Sequence, residues 1–134
     1  MNIKKINLAK KKCLPCEGGI DPINKDIATK LIKELDNGWL LTTDNKKIYK
    51  EYRAKNYHEI MSIINMIAFI SHKEDHHPDI MFGWGYAKIQ IFTHKIKGLV
   101  ESDFILAAKF TPSPNKSPFS SYTSAICNPI LTCI

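Results

Sequence analysis

The sequence lacks any apolar run that approaches the roughly 18–20 residues needed to cross a lipid bilayer, so no association with a membrane is expected. Its first twelve residues contain no acidic side chain and no apolar stretch, which disfavours a secretory signal. Arginine is nearly missing: Arg53 stands alone, and arginine is the side chain that most often reads base edges in DNA. Membrane insertion, secretion and base-specific DNA recognition are therefore disfavoured.

The positive charge is concentrated at one end of the chain. The 134 residues include 19 basic and 13 acidic side chains, which gives a net charge of +6. Five lysines lie within residues 1–12, whereas basic and acidic side chains balance within residues 13–110. We therefore predict a basic N-terminal arm at 1–12 outside an electroneutral domain at 13–110, with no direct binding of nucleic acid.

The end of the sequence differs in composition from the predicted domain. Prolines and serines recur throughout residues 111–134 and interrupt any regular element, so we predict a disordered tail there. All of the periodic hydrophobic pattern lies before it. A chain of this length fits one domain and is long enough to bury a core without disulfides or metals.

Hydrophobic periodicity predicts that helices and pairs of strands alternate. Asn24 is a suitable N-cap for the first helix, and isoleucines at helical spacing predict a longer second one. The expected helices lie at about 25–36, 57–72 and 101–110, and the expected strands at about 39–43, 47–54, 80–86 and 87–93. This α-β-β-α-β-β-α order predicts a two-layer α+β fold, a four-stranded antiparallel sheet with helices packed on one face. An edge strand or the bare face of that sheet would suit self-association.

Histidines cluster in the second half of the predicted domain. If the last two strands form a hairpin, its ends are adjacent, and His94 returns beside His76 and His77 with Asp103 in reach. Imidazoles titrate near neutral pH, so such a cluster suits general acid–base catalysis. Histidine with Asp79 or Asp103 also offers ligands for zinc or iron, which makes a metal hydrolase an alternative. Adjacent histidine side chains diverge in extended backbone, which disfavours shared ligation.

The cysteines and glycines give weaker signals than the histidines. Cys13 and Cys16 have the spacing of a zinc or redox pair, but Cys127 and Cys133 do not form a second pair of similar spacing. Reduced thiols in a cytosolic protein are the simpler interpretation. The sequence has no phosphate-binding glycine loop and no nucleophile elbow that would compete with the histidine cluster.

The histidine spacing resembles the signature of a known enzyme family. The stretch His72-x₃-His76-His77-Pro78-x₅-Trp84-x₉-His94-x₈-Asp103 is similar to that of the pterin-4a-carbinolamine dehydratases. Other segments similar to the family are Cys13-x-Pro15-Cys16-Glu17-Gly18-Gly19, Gly38-Trp39 and Thr93-His94…Gly98-Leu99. The resemblance therefore covers about 13–110, the region that charge and composition also delimit.

The resemblance implies an α+β domain that assembles as a homodimer or homotetramer and needs no metal or other cofactor. It implies a hydro-lyase, a 4a-hydroxytetrahydrobiopterin dehydratase, which converts the carbinolamine released by aromatic amino acid hydroxylases to quinonoid dihydropterin. The resemblance thus implies that the substrate is a pterin and that the functional partner is an aromatic amino acid hydroxylase. It also implies that the protein is cytoplasmic and takes part in tetrahydrobiopterin recycling. Relatives of this fold also act as dimerisation partners of a transcription factor or as assembly factors, so a non-enzymatic role is the alternative.

Carried over by position, the resemblance implies that His76, His77 and His94 are catalytic. Asp103, Trp84 and Asp79 are the expected substrate-binding residues. Loss of water requires one proton delivered to the hydroxyl group on C4a and one removed from a ring nitrogen. We expect His76 and His94 to form the acid–base pair and His77 to orient the ring.

The start of the last predicted helix departs from the family pattern. Val100 stands where many relatives have a capping threonine, and its side chain accepts no hydrogen bond. We therefore expect Ser102 or Glu101 to satisfy that helix end, or the end to fray.

Overall fold

The computed structural model describes residues 7–14, 19–36 and 38–110. Its elements are a 3-10 helix at Leu8–Lys10, α1 at Lys25–Lys33, β1 at Leu40–Leu41, β2 at Ile48–Arg53, α2 at Tyr57–Glu74, β3 at Asp79–Gly83, β4 at Tyr86–Ile91 and α3 at Glu101–Lys109. The order of helices and strands is the predicted one, preceded by a 3-10 turn. The predicted tail at 111–134 lies outside the described residues, as do Cys16, Cys127 and Cys133.

The four strands form one antiparallel sheet in the order β1-β2-β4-β3. The longest pairing joins β2 to β4, and β3 pairs with β4 as a hairpin. Alternate residues of β4, namely Ala87, Ile89 and Ile91, are fully buried, as expected for a strand with one face on the core. Isoleucines and a methionine of α2 are buried in the same core. The predicted α+β fold with a four-stranded antiparallel sheet is thereby confirmed.

The turn between β3 and β4 lies earlier than predicted. The predicted strands at 80–86 and 87–93 leave no residues for a turn, whereas the strands end at Gly83 and restart at Tyr86. Trp84 and Gly85 make the turn, and Gly85 adopts a φ of +75°, which glycine tolerates without strain. Gly83 at the end of β3 and Gly85 in the turn thus flank Trp84, which lies at the tip of the hairpin.

Capping residues fix both ends of α2, the helix that leads to the histidine pair. The Asn56 side chain accepts a hydrogen bond from the Glu59 amide at 2.9 Å. At the other end Asp75 is left-handed, with φ +51°, and the His76 amide donates to the Ser71 carbonyl at 3.1 Å. This C-terminal turn sets the position at which His76 leaves the helix. In the described part of the chain, no helix is long and apolar enough to cross a membrane.

Residues 7–12, the described part of the predicted basic arm, pack on the domain. Leu8 is 2% exposed and belongs to the core, while the lysines around it are exposed. Lys11 forms an ion pair with Glu101 at the start of α3. The charge pattern does not reveal this packing, because a single apolar residue among lysines provides the anchor.

Candidate active site

A buried imidazole–carboxylate pair lies between the end of α2 and the start of α3. Nε2 of His76 is 2.7 Å from Oδ1 of Asp103, and both side chains are buried. With the carboxylate ionised, Nε2 carries the donated proton, and Nδ1 is the ring nitrogen left for proton exchange. A hydrogen bond between charged or polar groups in a dry environment is short and strong, so it fixes the orientation of the His76 ring.

Two further donors hold the Asp103 carboxylate. The Thr93 hydroxyl lies 3.2 and 3.3 Å from its two oxygens, and the Val100 amide donates to Oδ2 at 2.8 Å. Asp103 therefore satisfies the helix end that we assigned to Ser102 or Glu101, and that assignment was wrong. An acidic residue three positions after the N-cap, as in a capping box, is the sequence signal that we missed.

Asp103, which we predicted to bind substrate, lies in the protein interior. Its side chain is fully buried, and its oxygens already accept from His76, Thr93 and Val100. These contacts hold the carboxylate in a position from which it orients the His76 ring.

His94 lies on an exposed part of the same end of the sheet. The β3–β4 hairpin brings Asp79, at the start of β3, opposite Gln90, so the chain beyond β4 passes beside it. His94 Nε2 is 3.6 Å from Asp79 Oδ1, and the side chains of both are more than half exposed. The structure thus brings His94 and Asp79 together at the end of the sheet where β3 begins. His76 and His77 lie just before β3 at the same end.

An aromatic ring that the sequence did not single out for a role supports His94. The ring centroids of Phe92 and His94 are 4.1 Å apart with a tilt of 39°, and the Lys47 ammonium lies 4.3 Å from the Phe92 ring. Such contacts restrict the imidazole to one side of the hairpin end. The sequence feature that predicts this contact is the separation of two positions between Phe92 and His94, because side chains two positions apart lie on the same side of an extended chain.

The other predicted residues occupy different environments. His77 is exposed, next to buried His76, as diverging neighbours in an extended segment should be. Trp84 is 73% exposed at the hairpin tip. A strand rises about 3.3 Å per residue, so Trp84 lies roughly 16 Å from Asp79, and one chain does not bring it to the histidines.

The described residues include no group of three or more His, Cys, Asp or Glu side chains placed to hold a metal ion. These residues include the buried His76, whose ring is fixed by Asp103, and the exposed His94 beside Asp79. The third imidazole, that of His77, is exposed to solvent. Imidazoles both donate and accept protons, so two of them at one end of the sheet suit proton transfer in both directions.

Comparison with known proteins adds a family and several relatives. The family model described as Pterin 4 alpha carbinolamine dehydratase matches residues 21–112. Relatives that carry the provisional name pterin-4-alpha-carbinolamine dehydratase include one from Nitrosomonas europaea, 48% identical over 103 residues that cover 77% of this chain and 89% of the relative. Others are from Rickettsia bellii, 45% identical over 77% of this chain and 90% of the relative, and Halorhodospira halophila, 42% identical over 78% and 94%.

A solved structure resembles the fold. The crystal structure from Brucella melitensis, described as a transcriptional coactivator/pterin dehydratase, matches with a TM-score of 0.62. The match covers 67% of this chain and 95% of that chain at 20% identity. At this level of identity the likeness concerns the fold, and it agrees with the sheet and helices described above.

Proposed function

Because the chain belongs to the pterin 4 alpha carbinolamine dehydratase family, as its histidine spacing predicted, we propose that it dehydrates 4a-hydroxytetrahydropterin to quinonoid dihydropterin. The observation that carries this proposal is the buried His76–Asp103 pair at the end of the sheet where His94 is exposed. In this role the protein serves tetrahydrobiopterin recycling in the cytoplasm, downstream of an aromatic amino acid hydroxylase, and needs no metal or cofactor.

The reaction requires two proton movements that balance. One imidazole donates a proton to the hydroxyl group on C4a, and the C4a–O bond breaks with its electron pair leaving as water. The other imidazole removes the proton of the adjacent ring nitrogen, whose electrons form the carbon–nitrogen double bond. We assign these two roles to His76 and His94, and His77 to binding and orienting the ring. The proton gained by one imidazole equals the proton lost by the other, so return of a proton between them restores the enzyme.

The carboxylates have distinct roles in this proposal. Asp103 is a positioning residue, because it is buried and holds Nε2 of His76. Asp79 is exposed beside His94, where it can accept hydrogen bonds from the donor groups of a pterin as well as orient the imidazole. A flat, polar heterocycle would lie between an exposed imidazole and the rim of the buried pair.

Self-association offers a role for Trp84. Strand β3 is an edge of the sheet, and its Met81 is 65% exposed. In an antiparallel pairing of two β3 strands centred on Met81, residue 79 of one copy faces residue 83 of the other, so Trp84 of a second copy would lie beside Asp79. We therefore propose a homodimer or higher homo-oligomer in which Trp84 contacts substrate bound to the neighbouring copy.

Sedimentation combined with activity tests this assembly. Met81→Lys should give monomers with reduced turnover, because a lysine on an edge strand blocks pairing. Trp84→Ala should leave the oligomer intact and raise KM. An oligomer whose KM does not change in Trp84→Ala contradicts the substrate role of Trp84.

The reaction itself is tested by following carbinolamine decay spectroscopically during turnover of a phenylalanine hydroxylase. We expect the purified protein, at catalytic concentration, to accelerate decay over the spontaneous reaction. The matched control is the same protein with His76 and His94 both replaced by alanine. A wild-type rate equal to the spontaneous rate would favour the second candidate, a non-enzymatic dimerisation, assembly or transcriptional cofactor protein.

A further inference from the structure

The segment at 7–14 contacts the end of α2, which leads to His76, and the start of α3, which carries Asp103. The Cys13 amide donates to Glu74 Oε2 at 3.2 Å, and Glu74 lies two residues before His76. The Leu14 amide donates to the Ser102 hydroxyl at 3.1 Å, and Ser102 directly precedes Asp103. One short segment thus joins the end of α2 to the start of α3.

Buried side chains anchor this segment. Leu8 and Cys13 are 2% and 5% exposed, and the Cys13 thiol lies 3.6 Å from the Ser102 carbonyl. Burial, reinforced by the nearby Glu74 carboxylate, raises the pKa of the Cys13 thiol to about 12. The thiol is therefore protonated at neutral pH and can donate to that carbonyl. The segment is held by packing as well as by its hydrogen bonds.

Glu74 connects the segment to a third position. Its other carboxylate oxygen lies 2.9 Å from the Lys109 ammonium in the last turn of α3, and both side chains are largely buried. Burial by itself would raise the pKa of Glu74, but the hydrogen bonds from Lys109 and the Cys13 amide lower it below its ordinary value. The ionised carboxylate thus links α2, α3 and the N-terminal segment at neutral pH.

We propose that residues 7–14, which we call the N-terminal clamp, position the active site by fixing the end of α2 against the start of α3. His76 and Asp103 are brought together from these two places, and their hydrogen bond weakens steeply with distance and angle. The residues that position His76 are then Ser102 and Glu74 together with the backbone of Cys13 and Leu14. The catalytic consequence rests on the proposed function, whereas the effect on His76 geometry does not.

Histidine-labelled protein without substrate gives a direct readout of this geometry by NMR. The signal is the Nε2 proton of His76, which a 2.7 Å bond to a carboxylate shifts downfield and protects from exchange. Ser102→Ala removes the hydroxyl that holds Leu14, and deletion of residues 2–14 removes the clamp. The matched controls are Ser62→Ala, which removes a hydroxyl bonded to the His58 carbonyl on α2, and deletion of residues 2–6, which keeps the clamp.

We expect Ser102→Ala and the longer deletion to move the His76 signal upfield and speed its exchange, while the signals of His58 and His94 stay in place. Turnover should fall about tenfold with KM within about twofold, since a small misplacement of a catalytic group affects the chemical step. Both controls should match the wild type. A loss of stability alone would not move the His76 signal of the native state.

An unchanged His76 signal in Ser102→Ala would overturn the proposal, and this variant decides the question if the longer deletion does not fold. A moved His76 signal in a protein without dehydratase activity in its wild-type form would support the clamp and contradict the proposed function. The two conclusions are therefore separable.

Discussion

The imidazole of His76 and the carboxylate of Asp103 meet at 2.7 Å in the interior, although 27 positions separate them in the sequence. Burying such a pair is costly unless each polar atom has a hydrogen-bond partner. Here the Thr93 hydroxyl and the Val100 amide donate further hydrogen bonds to the Asp103 carboxylate. Removal of either member would leave the other buried without its partner. The pair therefore couples the integrity of the fold to the chemistry of the site.

Asp103→Asn keeps the size of the side chain and removes its charge. The amide can no longer accept from His76, Thr93 and Val100 with the same geometry, so the His76 ring loses its fixed orientation. We expect turnover to fall on the order of 10²-fold and the free energy of unfolding to fall by about 1–3 kcal/mol. Steady-state kinetics and urea denaturation measure the two effects. Asp26→Asn, on the exposed first turn of α1, is the control and should change neither by much.

The raised pKa of Cys13 predicts an unreactive thiol. Only the thiolate is nucleophilic, and a pKa of about 12 leaves on the order of 10³-fold less thiolate at pH 8 than an ordinary cysteine has. In a variant with Cys16, Cys127 and Cys133 changed to serine, alkylation should be at least that much slower in the folded protein than in urea. Mass spectrometry follows the reaction. Alkylation at the rate of a free thiol would show that the clamp is open in solution.

The same thiol predicts a loss of stability in alkali. Because its folded pKa is raised, the neutral thiol contributes stability that is fully present below the unfolded pKa near 8.5 and is lost as the pH rises towards about 12. The free energy of unfolding should fall from pH 8 to pH 10.5 by a larger amount in the wild type than in Cys13→Ala. Equal losses in the two proteins would contradict the burial of the thiol.

Glu74 predicts the opposite dependence in acid. Its folded pKa is lowered, so its contribution to stability is present above the unfolded pKa near 4.3 and is lost as the pH falls through the folded value. Urea denaturation at pH 6 and pH 3 should show a smaller loss in Glu74→Gln than in the wild type, since glutamine does not titrate. Lys109→Met should also reduce the loss, because the ammonium supplies part of the shift. Identical losses in all three proteins would argue against the link between α2, α3 and the clamp.

The hairpin explains why much of the site could be predicted from sequence. In an antiparallel hairpin the residue before the first strand lies close to the residue after the second strand. The strand pattern between positions 80 and 93 was therefore enough to predict that His94 lies near His76 and Asp79. The Asn24 cap of α1 was predicted for a similar reason, because an asparagine at an N-cap acts within one turn.

The remaining features depend on contacts that sequence spacing does not encode. The turn at Trp84 was missed because aromatic residues lie on both sides of Gly83-Trp84-Gly85 and the pattern alone does not show where the chain turns. The indole was therefore placed on a strand rather than at the tip. The clamp was missed because lysines dominate the composition around Leu8, and burial of that side chain depends on α3. The role of Asp103 as the cap of α3 was missed because we assigned its side chain to substrate binding. The backbone amides at the start of a helix need acceptors, and the Val100 amide finds one in Asp103.

The most direct measurement is the dehydration rate of His76→Ala, His94→Ala and His58→Ala under identical conditions. His58 is an exposed imidazole on the first turn of α2, so its variant controls for the loss of a histidine outside the site. We expect the first two variants each to lose on the order of 10²–10⁴-fold in turnover and His58→Ala to retain the wild-type rate. Folded His76→Ala and His94→Ala proteins that both turn over at the wild-type rate would contradict the assignment of these imidazoles as the acid–base pair.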